Sequence, residues 1–533
     1  MSERARTSGS GSALFALVGA SLPMNLDPAI HNIAVVAAGN ALHMTGAERS
    51  LAASIGTLCI AATILATGSL GDRLGRKKVM LLGLLVTLAG GVVTALAPSS
   101  TVFAVGRALS GVGFAASFGL SFALLRAIAP EPDALARTVA KWLALQTLAI
   151  VILCVVGGFL AGVNWRAAYL VGPLVGVLAL AWCLKAVPEA KDAAAGGFDG
   201  VGLFLVAVGL VSALYAVSNA ASSGWLSAKV TVPLAAGLVV LVAFAVWEWR
   251  SAKPAFPIRS FADPQLMVGA LSGIAFNVGN AVVAIQLSLL WQYVYRYKPL
   301  EVSLGQLPFI VACIGAATWA GSLVARGVSM RLLVPAGLLA MAAALSVMAF
   351  AGESTPYFMF VIPLLAAGAG LMLTQTPTAN VFVAKPPPAL IGAVGSSRTA
   401  FGQLGFAFGL ALSSSLLYGM FNPLLRQRLG EAGATPGEQA QAIGILQSYV
   451  QTGDTERFDA KLVHEVIASG TSAYLSSYRV TMLIMAALIA LTAAACFWIL
   501  PRRASKAGPW RLWRSLPSWH RALPSHSNRT RRS

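Results

Sequence analysis

Long apolar segments alternate with short polar ones along almost the whole chain. A membrane-spanning helix needs about 20 predominantly apolar residues, whereas a spanning β-strand shows an alternating pattern over about 10 residues. The apolar segments here are helix-length and continuous, which excludes a β-barrel and predicts an all-α membrane protein. Fourteen transmembrane helices are expected, near residues 13–38, 51–70, 79–97, 102–128, 140–162, 166–186, 200–221, 229–247, 267–293, 304–325, 331–351, 356–380, 390–419 and 478–500.

The polar stretches between these spans group them as six, two and six. We expect an N-terminal six-helix bundle over residues 1–187 and a linker with two inserted helices over 188–263. A C-terminal six-helix bundle follows over 264–500, interrupted by an outer loop at 421–477, and a basic cytoplasmic tail covers 501–533. The two bundles are related by an internal repeat, because Gly-Ser-Leu with an arginine three residues later recurs after the second span of each bundle.

Composition excludes several function classes. Of the 533 residues, 57% are hydrophobic and 11% are charged, whereas soluble domains carry about 25% charged residues. A soluble enzyme and a disordered chain are therefore excluded. The net charge of +19 arises from Lys and Arg in the segments that share a side with the termini. The positive-inside rule then predicts a multi-pass protein of the plasma (inner) membrane with cytoplasmic N- and C-termini.

Binding motifs for other partners are missing from the sequence. The excess positive charge is a feature of membrane topology, so no nucleic-acid partner is expected. The five cysteines lie in apolar segments and form no C-x-x-C pair, so neither a disulfide framework nor a metal site is expected. The sequence also contains no phosphate-binding loop and no enzyme motif. We therefore expect no cofactor and no catalytic residue.

The segment after the second span resembles the major facilitator superfamily. The family signature Gly-x-Leu-x-Asp-Arg-x-Gly-Arg-Lys is present in full from Gly68 to Lys77. In that family the loop latches the two bundles together, and the resemblance implies the same role here. The latch residues would be Gly68, Gly71, Asp72, Arg73, Gly75 and Arg76. Ordinary positive-inside topology would account for the basic residues of this loop, although not for Asp72.

The fourteen-span layout is similar to the multidrug:proton antiporter branch of that family. The first span resembles that branch over residues 26–34, and the fourth span over 107–113. The fifth-span signature of the branch is incomplete, because Leu153 and Cys154 stand where Gly-Pro is expected. That departure leaves the direction of transport, export or import, open. The tenth and thirteenth spans carry no acid, which argues against a dicationic substrate.

Proton coupling is assigned to three ionisable residues of the first and fourth spans. Asp27 is the one carboxylate within a predicted span, and Arg107 in the fourth span lies at a similar depth. His31 follows Asp27 by one helical turn and can titrate near neutral pH. Pro28, between them, favours a kink. The alternatives are a permanent Asp27–Arg107 salt bridge that joins two helices, and a neutral His31 that lines the cavity.

Polar residues of other spans are candidates for the substrate cavity. Each could instead make a hydrogen bond between helices, as such residues often do in membranes. The candidates are Asn32, Gln146, Asn277, Asn280 and Gln375.

These features predict a secondary active transporter that works by alternating access. The expected activity is proton-coupled multidrug efflux of hydrophobic or monocationic compounds by a monomer in the lipid bilayer. Its partners are a small-molecule substrate and protons. The alternatives are an exporter of an endogenous metabolite and a transport-dead membrane receptor or scaffold. The basic tail is expected either to lie on the inner leaflet through its Trp and Arg residues or only to enforce topology.

Overall fold

The computed structural model describes residues 3–129, 131–191, 199–251, 256, 258–385, 391–451 and 460–501. Within these ranges the chain is helical, with fourteen helices of 19 residues or more. The first six are α1 (Glu3–Ala41), α2 (Gly46–Leu74), α3 (Arg76–Ala95), α4 (Ser100–Ile128), α5 (Pro132–Val163) and α6 (Trp165–Ala186).

The remaining helices follow in the order expected from the apolar pattern. They are α7 (Gly200–Ser223), α8 (Ala228–Arg250), a 3-10 helix (Ile258–Ala262), α9 (Pro264–Tyr293), α10 (Pro299–Gly305), α11 (Leu307–Ala325), α12 (Met330–Met348), α13 (Phe358–Ala384), α14 (Ile391–Glu431), α15 (Pro436–Gln451) and α16 (Ala460–Ile499). Each predicted span coincides with one long helix.

The prediction of an all-α membrane protein is confirmed. Among the described residues, eleven helices are long and apolar enough to cross a membrane. They become twelve when α1 is counted as one span, since its segments Gly11–Pro28 and Ile30–Ala41 meet at 50°. Pro28 lies at this bend, where its ring removes a backbone hydrogen bond. We call the side at which α1 begins and α2 ends the terminus side, and the other the opposite side.

Small residues bring the helices of the N-terminal bundle close together. A Cβ added to Gly106 on α4 would lie 2.6 Å from the backbone nitrogen of Thr94 on α3, and one added to Gly19 on α1 would lie 3.2 Å from Cβ of Ala179 on α6. Membrane helices that lack a hydrophobic driving force between them associate through such close packing. It holds the polar residues of α1, α4 and α6 in one compact group.

Several contacts between the two bundles lie toward the opposite side. Ser288 on α9 donates to the carbonyl of Asn32 on α1 at 2.7 Å, and Ser50 on α2 donates to the carbonyl of Ala411 on α14 at 3.1 Å. The inserted helix α7 packs against α2, α14 and α8. It therefore lies beside the α2–α14 contact, and Ser415 of α14 donates to its carbonyl at Val217 at 2.7 Å.

The expected outer loop at 421–477 is helical in its described residues. It consists of the end of α14, the whole of α15 and the beginning of α16, which we call the helical cap (421–451 and 460–477). The cap has an apolar core of its own, formed by Leu425, Leu429, Ala442, Ile445 and Val466 with neighbouring residues. The predicted tail at 501–533 lies outside the described residues apart from Pro501.

Candidate functional site

Asp27 and Arg107 form a buried ion pair between α1 and α4. The Nη2 group of Arg107 donates to Oδ2 of Asp27 at 2.6 Å, and its Nη1 group donates to Oδ1. Only 2% of the Arg107 side chain and 11% of the Asp27 side chain are exposed. Two parallel charge-assisted hydrogen bonds are the strongest arrangement for this pair of groups. The sequence placed both residues at a similar depth, and the structure brings them into contact.

Gly56 makes room for the guanidinium of Arg107, and Gly111 lets α4 pack closely against α2. A Cβ on Gly56 of α2 would lie 3.0 Å from Nη2 of Arg107, and one on Gly111 of α4 would lie 2.9 Å from Cβ of Cys59. The α2 backbone therefore passes directly over the ion pair. A larger residue at position 56 would have to displace the arginine.

Tyr169 on α6 connects His31 to this ion pair. Its hydroxyl lies 2.6 Å from Nδ1 of His31, and Cζ of Arg107 lies 5.7 Å from the centre of its ring. His31 is 1% exposed, and its Nε2 has no hydrogen-bond partner among the described residues. In this conformation His31 is hydrogen-bonded to Tyr169. Its link to Asp27 is indirect, through the contact of Tyr169 with Arg107.

Tyr169 was not predicted from the sequence. A tyrosine four residues after the start of a span is typical of the aromatic belt at a membrane interface. Arg107 lies seven residues after the start of α4, so the two Cα positions differ in depth by about 4.5 Å.

A small cavity adjoins the ion pair. It has a volume of about 20 Å³ and is lined by Asp27, Arg107, Ser110, Thr87 and Tyr169, among others. A cavity of roughly 10–15 Å³ suffices for one water molecule when polar partners are present. The Thr87 hydroxyl is buried and has no hydrogen-bond partner in the described part of the chain. Polar groups of α3, α4 and α6 thus lie beside the pair in a lining that is otherwise largely apolar.

Gln146 belongs to a hydrogen-bonded group between α1 and α5. Its Oε1 accepts from Nδ2 of Asn25 at 2.9 Å, and its Nε2 donates to the hydroxyl of Ser21. Gln146 is 5% exposed. This geometry matches the alternative of a hydrogen bond between helices.

The other four cavity candidates are distributed over both bundles. The side-chain amide of Asn32 is buried and has no partner among the described residues. Asn277 donates to the carbonyl of Gly273 at 2.8 Å, one turn earlier on α9. Asn280 and Gln375 are half-buried. No hydrogen bond of the described residues joins any two of the five candidates, so the structure does not gather them into a single site.

The predicted latch loop packs against the segment that follows α6. Gly75 ends α2 at φ +117°, and its N–H donates to the carbonyl of Gly71 at 2.9 Å. The N–H of Arg76 donates to the carbonyl of Ala190 at 2.9 Å. The carboxylate of Glu189 accepts from the N–H of Lys77 at 3.0 Å. Glu189 thus stabilises the positive N-terminus of α3, and sequence reasoning missed it within a polar stretch.

The other latch residues lie along the same turn. Gly71 contacts Leu120 on α4, and nothing lies within 4 Å of a Cβ placed on Gly68. Arg73 occupies the last turn of α2. The side chain of Asp72 lies outside the described residues.

The two glycines retained from the fifth-span signature make close contacts on the opposite side. A Cβ on Gly157 would overlap Ile30 of α1, and one on Gly158 would lie 2.9 Å from Cβ of Ser303 on α10. Gly158 therefore lies at a contact between the two bundles, although Leu153 and Cys154 replace the expected Gly-Pro.

Comparisons with known proteins agree with this architecture. The chain is 27% identical to the multidrug resistance protein Stp of Mycobacterium tuberculosis (strain CDC 1551 / Oshkosh) over 464 residues, 85% of each chain. It is also 27% identical to the multidrug efflux pump LfrA of Mycolicibacterium smegmatis over 452 residues, 84% of this chain and 87% of that protein.

Solved structures share the fold. A bacterial homolog of the human lysosomal transporter Spinster, in an inward-facing and unoccupied conformation, matches with a TM-score of 0.62 and 14% identity. The match covers 95% of this chain and 100% of that one. The family model described as Major Facilitator Superfamily matches residues 12–410. With this match over most of its helices, the chain belongs to the Major Facilitator Superfamily and is a membrane transporter rather than an enzyme.

Proposed function

We propose that this transporter is a proton-coupled exporter of hydrophobic or monocationic compounds. It works by alternating access in the plasma membrane, with both termini in the cytoplasm. The names of two relatives, a multidrug resistance protein and a multidrug efflux pump, support export of drug-like molecules. The excess of basic residues on the terminus side supports the orientation.

The ion pair of Asp27 and Arg107 is the observation that carries this proposal. An ionisable residue within a membrane span is costly and is a functional candidate by default. With Asp27 ionised, the pair is neutral overall and ties α1 to α4 through two hydrogen bonds. A proton on Asp27 removes one acceptor and its negative charge, which weakens the tie. Protonation of Asp27 can therefore change how α1 sits against α4, and α1 also contacts the C-terminal bundle at Ser288.

We further propose that the chain crosses the membrane fourteen times. The spans assigned by length and apolarity do not include α2 and α5, which have 29 and 32 residues. Helix α2 packs between α4 and α14, and α5 packs against α1 and α6. Helices of this length in these positions must cross beside their neighbours. The result is two bundles of six with α7 and α8 inserted.

The choice of substrate class rests on the charge inside the spans. Asp27 supplies one negative charge, and in the described residues it is fully paired with Arg107. A single exchangeable carboxylate can balance one positive charge on a substrate. A hydrophobic monocation fits this arrangement better than a dication does.

We retain the latch role of the loop from Gly68 to Lys77 as part of the proposal. Glu189 and Ala190, in the segment that follows α6, hold the loop, which places Asp72 and Arg73 at the terminus side. In alternating access, this side must open and close.

Reconstitution into liposomes tests the proposal. We expect purified protein to accumulate ethidium, a monovalent dye, when a pH gradient is imposed. Asp27→Asn should abolish this gradient-driven accumulation while preserving exchange of labelled for unlabelled ethidium. Glu353→Gln, at an exposed acid on the opposite side, is the matched control and should behave as wild type. Full gradient-driven accumulation by Asp27→Asn would refute the proposed coupling.

A further inference from the structure

A second, much larger cavity lies toward the opposite side, and neither Asp27 nor Arg107 lines it. Its volume is about 910 Å³, within the range of roughly 300–1,000 Å³ typical of small-molecule sites. The helical cap forms one wall, through residues such as Phe421, Leu446 and Ile467. The ends of α1, α2, α7 and α9 form the others. Both bundles and one inserted helix therefore contribute to it.

The polar residues that line this cavity give it a positive charge. Arg49 of α2 and Arg426 of α14 are among them, and the described lining contains no Asp or Glu. Glu48, the acid next to Arg49 in sequence, makes hydrogen bonds to other residues. Its Oε2 accepts from the N–H of Thr45 at 2.8 Å, and its Oε1 accepts from the hydroxyl of Ser100. The cavity therefore favours an anion.

In the part of the chain that the structure describes, Arg49 donates to neutral acceptors. Its Nη2 donates to Oδ1 of Asn40 at 2.7 Å, its Nη1 to the hydroxyl of Tyr293 at 2.8 Å, and its Nε to the carbonyl of Met44 at 3.1 Å. These contacts fix the guanidinium at the cavity wall without neutralising it. Arg49 is half-buried, and an opposite charge stabilises a charge that is partly removed from water.

Much of the remaining lining is apolar or aromatic, and Asn40, His43, Thr45, Asn422 and Thr471 add further polar groups. Leu416, Met420, Phe421 and Ile467 line the cavity together with the ring of Tyr474. Tyr474 is 6% exposed, and its hydroxyl has no hydrogen-bond partner among the described residues. A buried phenol without a partner is a donor available to an acceptor that reaches it. The cavity thus combines fixed positive charge with a long apolar wall.

We propose that this cavity binds an amphiphilic anion, an acyl chain that carries a negatively charged head group. The head group lies against Arg49 and Arg426, and the chain lies along the apolar residues under the helical cap. The source is either a free fatty acid or an anionic membrane lipid, which share this chemistry. The site is separate from the Asp27–Arg107 pair and does not depend on the proposed proton coupling.

Fluorescence of cis-parinarate, a fatty acid that brightens in apolar surroundings, tests this site. The full chain is placed in nanodiscs of neutral phosphatidylcholine. We expect saturable binding, which oleate displaces and oleyl alcohol, with the same chain and no charge, does not. Arg49→Gln should raise the Kd by about tenfold, and the exposed Arg426→Gln by about threefold. Lys229→Gln, an exposed cation on the same side outside the lining, is the control and should leave it unchanged.

Several results would overturn the proposal. They are equal displacement by oleyl alcohol, an unchanged Kd in Arg426→Gln, or an equal loss in Lys229→Gln. Arg49 also joins α2 to α9 through its hydrogen bond to Tyr293, so its substitution can affect folding. If the Arg49 variant does not fold, Arg426→Gln decides the outcome. A second arm uses nanodiscs that contain phosphatidylglycerol. Weaker apparent binding of the probe there identifies a membrane lipid as the source, and unchanged binding identifies a free acid.

Discussion

Arg107 on α4 holds the carboxylate of Asp27 on α1 through both of its terminal nitrogens, deep inside the N-terminal bundle. Tyr169 places its ring beside the same guanidinium and its hydroxyl on His31. A change at any of these residues therefore acts on one connected group. Their effects on transport should be non-additive, since residues of one network couple energetically.

Arg107→Lys tests the geometry of the ion pair. Lysine keeps the positive charge but cannot form two parallel hydrogen bonds to one carboxylate. We expect gradient-driven transport to fall by about tenfold, with the protein still inserted. Initial rates in liposomes, normalised to reconstituted protein, measure this. Arg126→Gln, an exposed arginine in the last turn of α4, serves as the control, and an unaltered rate in Arg107→Lys would show that charge alone is sufficient.

Tyr169→Phe removes the hydroxyl and keeps the ring, so it tests the hydroxyl alone. The ring contact with Arg107 survives, while Nδ1 of His31 loses its partner in a buried position, at a cost of about 1–3 kcal/mol. We expect a lower transport rate and a changed dependence of that rate on pH. Tyr215→Phe, at a half-exposed tyrosine of α7, should match wild type. A wild-type pH profile in Tyr169→Phe would exclude His31 from the coupling mechanism.

The helices and the ion pair could be predicted from the sequence because each depends on few interactions. A long apolar segment must form a helix in a bilayer, and the depths of Asp27 and Arg107 follow from their distances to the span ends. Tyr169 could not be identified in this way, since only the packing of α6 beside α1 brings its hydroxyl to His31. Glu189 was obscured by its position in a polar stretch.

The helical cap was missed for another physical reason. Its helices are amphipathic and carry charges, so they lack the continuous apolar pattern that marks a span. They are stabilised by packing against one another around Leu425 and Ile445. The large cavity beneath the cap depends on that packing and on both bundles. Local sequence patterns cannot predict such contacts between distant segments.

Gly158→Ala should force the bundles apart on the opposite side. The new Cβ would lie 2.9 Å from Cβ of Ser303 and 3.2 Å from the carbonyl oxygen of Pro299. Such overpacking costs about 1–3 kcal/mol. Spin labels at Leu96 and Glu353, in a cysteine-free background, measure the distance between the bundles. We expect this distance to lengthen in Gly158→Ala.

Gly162→Ala is the matched control, one turn further along α5. Its Cβ would lie 3.8 Å from Cδ of Pro299, an ordinary contact. The distance between the spin labels should therefore match that of wild type. An equal change in both variants would mean that helix α5 responds to alanine itself rather than to the contact with α10.

The latch loop contains two glycines with opposite expectations. Gly75 has φ +117°, and an added Cβ would lie 2.9 Å from the carboxyl carbon of Glu189. Gly75→Ala should lower the thermal midpoint of the detergent-solubilised protein, because such backbone strain costs about 1–3 kcal/mol. Gly68→Ala should be tolerated, since nothing lies within 4 Å of its Cβ. Equal thermal midpoints for both variants would contradict this account of the turn.

Proton movement during transport tests the central claim most directly. Liposomes that contain the purified protein and trapped pyranine, a pH-sensitive dye, are given an outward gradient of ethidium without a pH gradient. We predict that ethidium movement drives protons in the opposite direction, which changes the pyranine signal in wild type and not in Asp27→Asn. Proton movement in Asp27→Asn at the wild-type rate would contradict the assignment of coupling to the Asp27–Arg107 pair.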